Sequence, residues 1–296
     1  KCLMPRFHAG LVLEGGGYKG MFTAGVLDFF LEKNMEFTSA YGVSAGACAL
    51  CSYISKQPHR AFETFVDYAG MKQFCSSRSF LLTGDLFNAD MSYDLIPNYL
   101  NPYDYDKAMQ YPGKAYAVCT DIESGKPEYF LLKDLHETMS AIRASASMPL
   151  VSQNVRIGDR LYLDGGMSDA IPIRKSVQDG NQKSIVVLTK KKDYRRKAAS
   201  PMVMAMVRTR YRRYPQLIER FENWPGEYNQ TLRLLDEMEK KGEILILRPS
   251  NLYGIGRVEK DRERLQALYE EGWKTAADHY EQIMSFLIKS EENVNA

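Results

Sequence analysis

Gly10-Leu11-Val12-Leu13-Glu14-Gly15-Gly16-Gly17-Tyr18-Lys19-Gly20 decides how this chain is read. Leu11-Val12-Leu13 is a short apolar run that stops at glycines, as a buried strand does. From Lys19 to Glu32, Met21, Ala24, Gly25, Leu27 and Leu31 recur at spacings near 3.6 and predict a helix. Strand, bare loop and helix in that order open an α/β fold. Three glycines in a row leave backbone N–H groups uncovered, so the loop can hold an anion, either a phosphate or the oxyanion of an ester-cleavage intermediate. Chance gives roughly 0.01 such loops in a chain this long. Gly15-x-Gly17-x-x-Gly20 also fits the dinucleotide pattern, but the next strand ends in Ser44 and not in an acid. No Lys-Ser/Thr pair follows Gly20, so the P-loop pattern fails as well.

Downstream, Ala40 to Val43 reads as a second short strand and Ala45 to Ile54 as a small apolar helix, with Gly42-Val43-Ser44-Ala45-Gly46 at the turn. This is G-x-S-x-G. A serine on a tight strand-to-helix turn is pushed out at the top of a sheet, and the flanking glycines Gly42 and Gly46 let the backbone bend. The helix beginning at Ala45 aims free N–H groups at the same point. Alone the pattern is weak, at roughly 0.1 chance matches. A third site, Leu163-Asp164-Gly165-Gly166, ends a predicted strand with a carboxylate, where α/β sheets present functional groups. All three in this order arise by accident with a chance on the order of 0.0001.

G-G-G-x-[KR]-G, then G-x-S-x-G, then D-G-G resembles the patatin-like phospholipase family over roughly residues 10–180. Ala144-Ser145-Ala146-Ser147-Met148-Pro149 and Asp169-Ala170-Ile171-Pro172 resemble flanking segments of that family. The resemblance implies a three-layer α/β/α fold with a mostly parallel central sheet, and hydrolysis of lipid-like acyl esters. It implies a Ser–Asp dyad: Ser44 as nucleophile, Asp164 as base, and Gly165-Gly166 as the turn behind it. The oxyanion hole would come from the loop residues Gly15, Gly16, Gly17, Lys19 and Gly20, with help from Ala45. Lys19 stands where many members carry Arg, and Ser152-Gln153 where prolines are usual. Neither a cofactor nor a metal is implied, and no calcium-loop pattern appears.

The remaining signals set the frame. With 296 residues the chain has room for a catalytic domain over 10–180 and a largely helical extension over 181–296. Glu243 to Leu247 is a strand able to join the core sheet. Val258, Leu265, Tyr269, Ala276, Tyr280, Ile283 and Leu287 predict one long C-terminal helix. A net charge of +2 commits the chain to neither nucleic acid nor membrane. The five cysteines show no repeating spacing, and Cys48-Ala-Leu-Cys51 reads as two buried thiols on a helix. Reduced thiols and a cytoplasmic location follow as the simplest expectation. Lys190 to Arg213 holds ten basic residues against one acid, Asp193. It is either a solvated face or a peripheral contact with anionic membrane, with Met202, Val203, Met204, Met206 and Val207 dipping in. Met71, Phe74, Phe80, Leu81, Leu82 and Phe87 are candidates to line an acyl groove or to fill ordinary core. Two other readings compete. A Ser–His–Asp hydrolase requires a histidine after the aspartate, which leaves only His279. A non-catalytic lipid-binding module would keep the fold without the chemistry.

Overall fold

The computed structural model describes residues 7–69 and 91–292. The six apolar residues between Met71 and Phe87 lie outside that set. β1 (Phe7–Leu13) and β2 (Phe37–Val43) pair in parallel, as do β2 with β3 (Lys114–Asp121), β1 with β7 (Ser184–Val187) and β7 with β8 (Ile244–Leu247). This parallel core continues into an antiparallel margin of β4 (Pro127–Leu131), β5 (Val155–Ile157) and β6 (Arg160–Asp164). Eight strands thus form one mixed sheet. The region after residue 180 contributes β7 and β8 to it.

Alternation along β1 sorts the two faces. Leu11 and Leu13 pack into a large core with α1 (Met21–Glu32), α2 (Ala45–Ile54), α3 (Arg60–Ala69) and α5 (Leu135–Ser145); α4 (Tyr105–Met109) adds Ala108. Val12 faces the other side, with Tyr41, Val186 and Ile244, under α7 (Ile173–Gln178) and α9 (Pro215–Lys240). The short α6 (Gly166–Asp169) precedes α7, and α8 (Pro201–Arg210) lies between β7 and α9. Helices therefore cover both faces, giving the three-layer α/β/α architecture.

The predicted single C-terminal helix is two, α10 (Arg262–Asp278) and α11 (Tyr280–Glu292). The break falls at His279, whose Nδ1 lies 2.8 Å from the Thr275 carbonyl oxygen. Val258 lies ahead of α10 and is exposed. α10 crosses α1 closely: a Cβ on Gly272 would stand 1.9 Å from the Phe22 carbonyl oxygen, and one on Gly25 would stand 2.0 Å from that of Tyr269. No helix among the described residues is long and apolar enough to cross a membrane.

One topological detail positions the site. Cys119 and Thr120 of β3 pair with β4 on one side and β6 on the other, while Tyr116 to Val118 pair with β4 and β2. β4 occupies one edge of β3, so β2 and β6 share the opposite edge and meet end to end. Val43 pairs with Val118, and Asp164 pairs with the next residue, Cys119. The residue after Val43 is Ser44.

Candidate active site

Ser44 sits at φ 55° and ψ −122°, a left-handed conformation that costs a non-glycine residue about 1–3 kcal/mol. It persists because its surroundings hold it. The Ser44 amide donates to Ser145 Oγ at 2.9 Å, and the Ser145 hydroxyl donates to the Val118 carbonyl at 2.6 Å. The Ser44 carbonyl accepts the amides of Ala47 and Cys48 and so starts α2. Gly42 and Gly46 allow the close packing of this turn; a Cβ on Gly46 would stand 2.6 Å from the Leu13 carbonyl oxygen.

Asp164 closes β6 and is buried. Its amide donates to the Ser147 carbonyl at 2.8 Å, and its carbonyl accepts the Thr120 hydroxyl at 2.7 Å. Gly166 N–H donates to Asp164 Oδ1 at 2.7 Å. Gly165 passes so near β3 that a Cβ would stand 2.1 Å from the Val118 carbonyl oxygen. Burial pushes the Asp164 carboxyl above the usual carboxylate range. Hydrogen bonds from the Gly166 amide and the Ser44 hydroxyl, and then the charges of Arg257 and Arg196, offset part of that rise. Ser44 and Asp164 are thus brought together, and the segment from Ser145 to Ser147 holds the backbone of both.

The glycine loop abuts them. A Cβ on Gly15 would stand 2.8 Å from Ser44 Cβ, so a larger residue there would collide with the serine. Gly16 and Gly17 take φ 156° and 58° and open a short 3₁₀ turn over Gly17–Gly20. Among the described residues no acceptor faces the amides of Gly15, Gly16 and Gly17. Ala45, first in α2, has no intrahelical acceptor for its own amide. The Lys19 amide differs: it donates to the Gly16 carbonyl at 3.2 Å and is not free for a ligand. Gly20 backs onto Ala45.

Residues that no motif marked fasten this loop from below. Glu14, fully buried, accepts from Thr189 N at 2.8 Å, Lys190 Nζ at 2.8 Å and the Tyr228 hydroxyl. Thr189 Oγ1 donates to the Gly15 carbonyl at 2.6 Å. Lys190, read from sequence as the start of a basic stretch, is largely buried in this pair. Val207 of the same stretch is buried with Leu163 and Tyr211, and Val203 and Met204 pack against them. Only Met202 and Met206, 73% and 52% exposed, point out of α8 as a membrane-dipping reading requires.

Ser44 lies where two cavities meet. The first, about 140 Å³, is mainly apolar, with Tyr18, Cys48, Phe65, Ile96, Met139 and Ile142 among its walls. The second, about 560 Å³, contains the glycine loop and Asp164 and is edged by Lys19, Arg196 and Arg257. Cys48 and Cys51 carry free thiols on α2, Cys51 buried and Cys48 partly so; burial pushes the Cys48 thiol up to about 12. All four histidines are exposed, and none lines either cavity. His279 is engaged with Thr275 at the end of α10.

The sequence model of the patatin-like phospholipase family matches residues 11–175. A second, for a domain of unknown function (DUF6363), matches residues 214–288. An uncharacterized protein of Escherichia coli (strain K12), YjjU, is 30% identical over 221 residues, covering 73% of this chain and 57% of that protein. A probable lipid hydrolase, 463L, of Invertebrate iridescent virus 6 is 22% identical over 199 residues, covering 62% of this chain and 68% of that one. The chain therefore spans a little over half of the first relative. Among solved structures, VipD from Legionella pneumophila aligns with a TM-score of 0.48 at 12% identity, covering 95% of this chain and 67% of that chain.

Proposed function

Because the chain belongs to the patatin-like phospholipase family, we propose that it is a serine acyl hydrolase that cleaves lipid esters with Ser44 and Asp164. The observation that carries the reading is the pairing of a strained serine with a buried carboxylate beside glycine amides that have no acceptor among the described residues.

A hydroxyl is a poor nucleophile until a base takes its proton. Asp at its ordinary pKa of about 3.9 is a feeble base, and burial makes Asp164 a better one. As Ser44 Oγ bonds to the ester carbonyl carbon, its proton passes to Asp164 and the carbonyl oxygen becomes an oxyanion. The amides of Gly15, Gly16, Gly17 and Ala45 receive that charge, each well-placed donor contributing roughly 100- to 1000-fold. Collapse breaks the ester C–O bond, and the departing alcohol takes the proton back from Asp164. Water then attacks the acyl-serine with the same base, releasing the fatty acid and regenerating Ser44. The acyl chain fits the apolar cavity beside Cys48 and Ile142.

Delivery to a lipid surface falls to α8. Met202 and Met206 stand one turn apart on its outer side, and Arg208, Arg210, Arg212 and Arg213 follow them. The pattern suits shallow insertion beneath anionic headgroups.

The test is a lipid panel assayed with wild type and Ser44→Ala, together with labelling by a fluorophosphonate probe. Ester cleavage and labelling that both vanish in Ser44→Ala are expected. A wild-type protein that neither cleaves nor labels is a lipid-binding module and not an enzyme.

A further inference from the structure

Arg196, Arg257 and Lys19 are among the cations that edge the larger cavity, and none of the three forms an ion pair among the described residues. Arg196 is half-buried, and its guanidinium lies flat on Trp224, 3.3 Å from the ring centre. Asn229 clamps its backbone from both sides, accepting the Arg196 amide at 2.8 Å and donating to its carbonyl at 2.9 Å. Among the described residues, no side chain bonds the guanidinium. Trp224 Nε1 is buried and likewise has no hydrogen-bond partner among the described residues. Arg257 stands on the loop ahead of α10, and its carbonyl accepts the Tyr18 amide at 3.2 Å, which ties that loop to the glycine turn. Lys19 completes the group; unlike Lys190, it has no ion pair among the described residues.

Gathering like charges without counterions is costly, and the cost is visible in Lys19 and Arg196. Burial, then Lys190 and Arg257, lowers the Lys19 pKa. Burial also lowers that of Arg196, with Arg257 adding to it. Glu14 is already paired with Lys190, so among the described residues lining the cavity Asp164 is the one carboxylate left. A half-buried, preorganised guanidinium with free donors suits a tetrahedral oxyanion. The cluster lies across Ser44 from the apolar cavity.

We propose that Arg196 and Arg257 select the substrate by binding the phosphodiester anion of a glycerophospholipid while its acyl chain fills the cavity beside Cys48. The inference rests on the hydrolase reading and deepens it. Both arginines lie beyond the segment matched to the catalytic family, residues 11–175. Headgroup choice is thus supplied by the second half of the chain, and the chemistry by the first.

The experiment compares dioleoylphosphatidylglycerol with dioleoylglycerol in mixed micelles, using wild type, Arg196→Gln and Arg257→Gln. The two lipids share their acyl esters and differ in the phosphodiester. The readout is the ratio of kcat/KM for the phospholipid to that for the neutral lipid. Wild type should favour the phospholipid, and each substitution should lower the ratio at least tenfold, with Arg257→Lys restoring part of it. Arg257 is exposed on a loop, so its replacement reports on binding even where Arg196→Gln folds poorly. A ratio unchanged in Arg257→Gln, or a wild type that prefers the neutral lipid, overturns the proposal. A wild type inert towards both removes the hydrolase reading itself, and this inference with it.

Discussion

The Ser145 hydroxyl accepts the amide hydrogen of Ser44 at 2.9 Å and passes its own hydrogen to the Val118 carbonyl. One buried side chain therefore ties the strained serine to the central strand of the site. Ser145→Ala leaves a buried amide and a carbonyl short of a partner, a loss of about 1–3 kcal/mol. Urea unfolding should show that loss. Ester cleavage should fall further than stability alone explains, because the Ser44 turn is free to relax, and Ser145→Thr should recover part of both.

Asp164 sets the pH behaviour. Its folded pKa lies above the unfolded value, chiefly through burial. The folded state then binds the proton more tightly, and stability declines as pH rises from the ordinary Asp value through the raised one. Asp164→Asn removes that penalty while still accepting the Gly166 amide. It should melt at or above the wild-type temperature at pH 7 and lose essentially all activity. In wild type, kcat/KM should rise with pH along a limb above the ordinary Asp pKa. Arg257→Gln should move that limb to higher pH, since Arg257 holds the carboxylate charge in place.

Lys190 and Glu14, just past the ends of β7 and β1, anchor the glycine loop. Lys190→Met strands a buried carboxylate and should cost about 3–5 kcal/mol. Hydrogen exchange at the bonded amides of Tyr18 and Lys19, which follow the glycines, should quicken in this variant even well below its melting temperature. Unaltered exchange there would refute the anchoring role.

Gly272 and Gly25 let α10 and α1 touch backbone to backbone. Gly272→Ala forces a methyl group against the Phe22 carbonyl, and the helices must separate. Overpacking of this kind costs about 1–3 kcal/mol. Because α1 continues from the glycine loop, activity should drop along with the melting temperature; a variant as stable as wild type would mean the crossing has slack.

Membrane contact through α8 predicts vesicle binding that weakens with salt. Met202→Asp with Met206→Asp should abolish sedimentation with phosphatidylglycerol vesicles. The short-chain ester rate of the same variant measures the site without the surface, and it should hold near the wild-type value.

The catalytic words were legible in sequence because each is local backbone chemistry. Gly15 to Gly17, Gly42-x-Ser44-x-Gly46 and Asp164-Gly165-Gly166 state a turn and its chemistry within a few residues. Ser145, Ser147 and Thr120 were not legible in those roles, since a serine that holds another segment's amide looks like any buried serine. Arg196 and Arg257 were hidden for a related reason. Their charge matters only through what they face, and Arg196 reads as one of ten in a basic run. Periodicity overreached at Val258 and His279, because an apolar stripe does not reveal where a helix turns a corner. It also grouped Val207 with Met202, although the fold buries one and exposes the other.

β3 acts as a ruler for the two side chains of the proposed dyad. With β2 and β6 abutting along one of its edges, Asp164 and Val43, the residue before the serine, are set one residue step apart along a single strand, roughly 3.3 Å. Loops and cavity walls can be lengthened, repacked or exchanged around that fixed interval. On the proposed mechanism, a lineage carrying this arrangement is free to change the lipid it accepts without retuning the proton transfer.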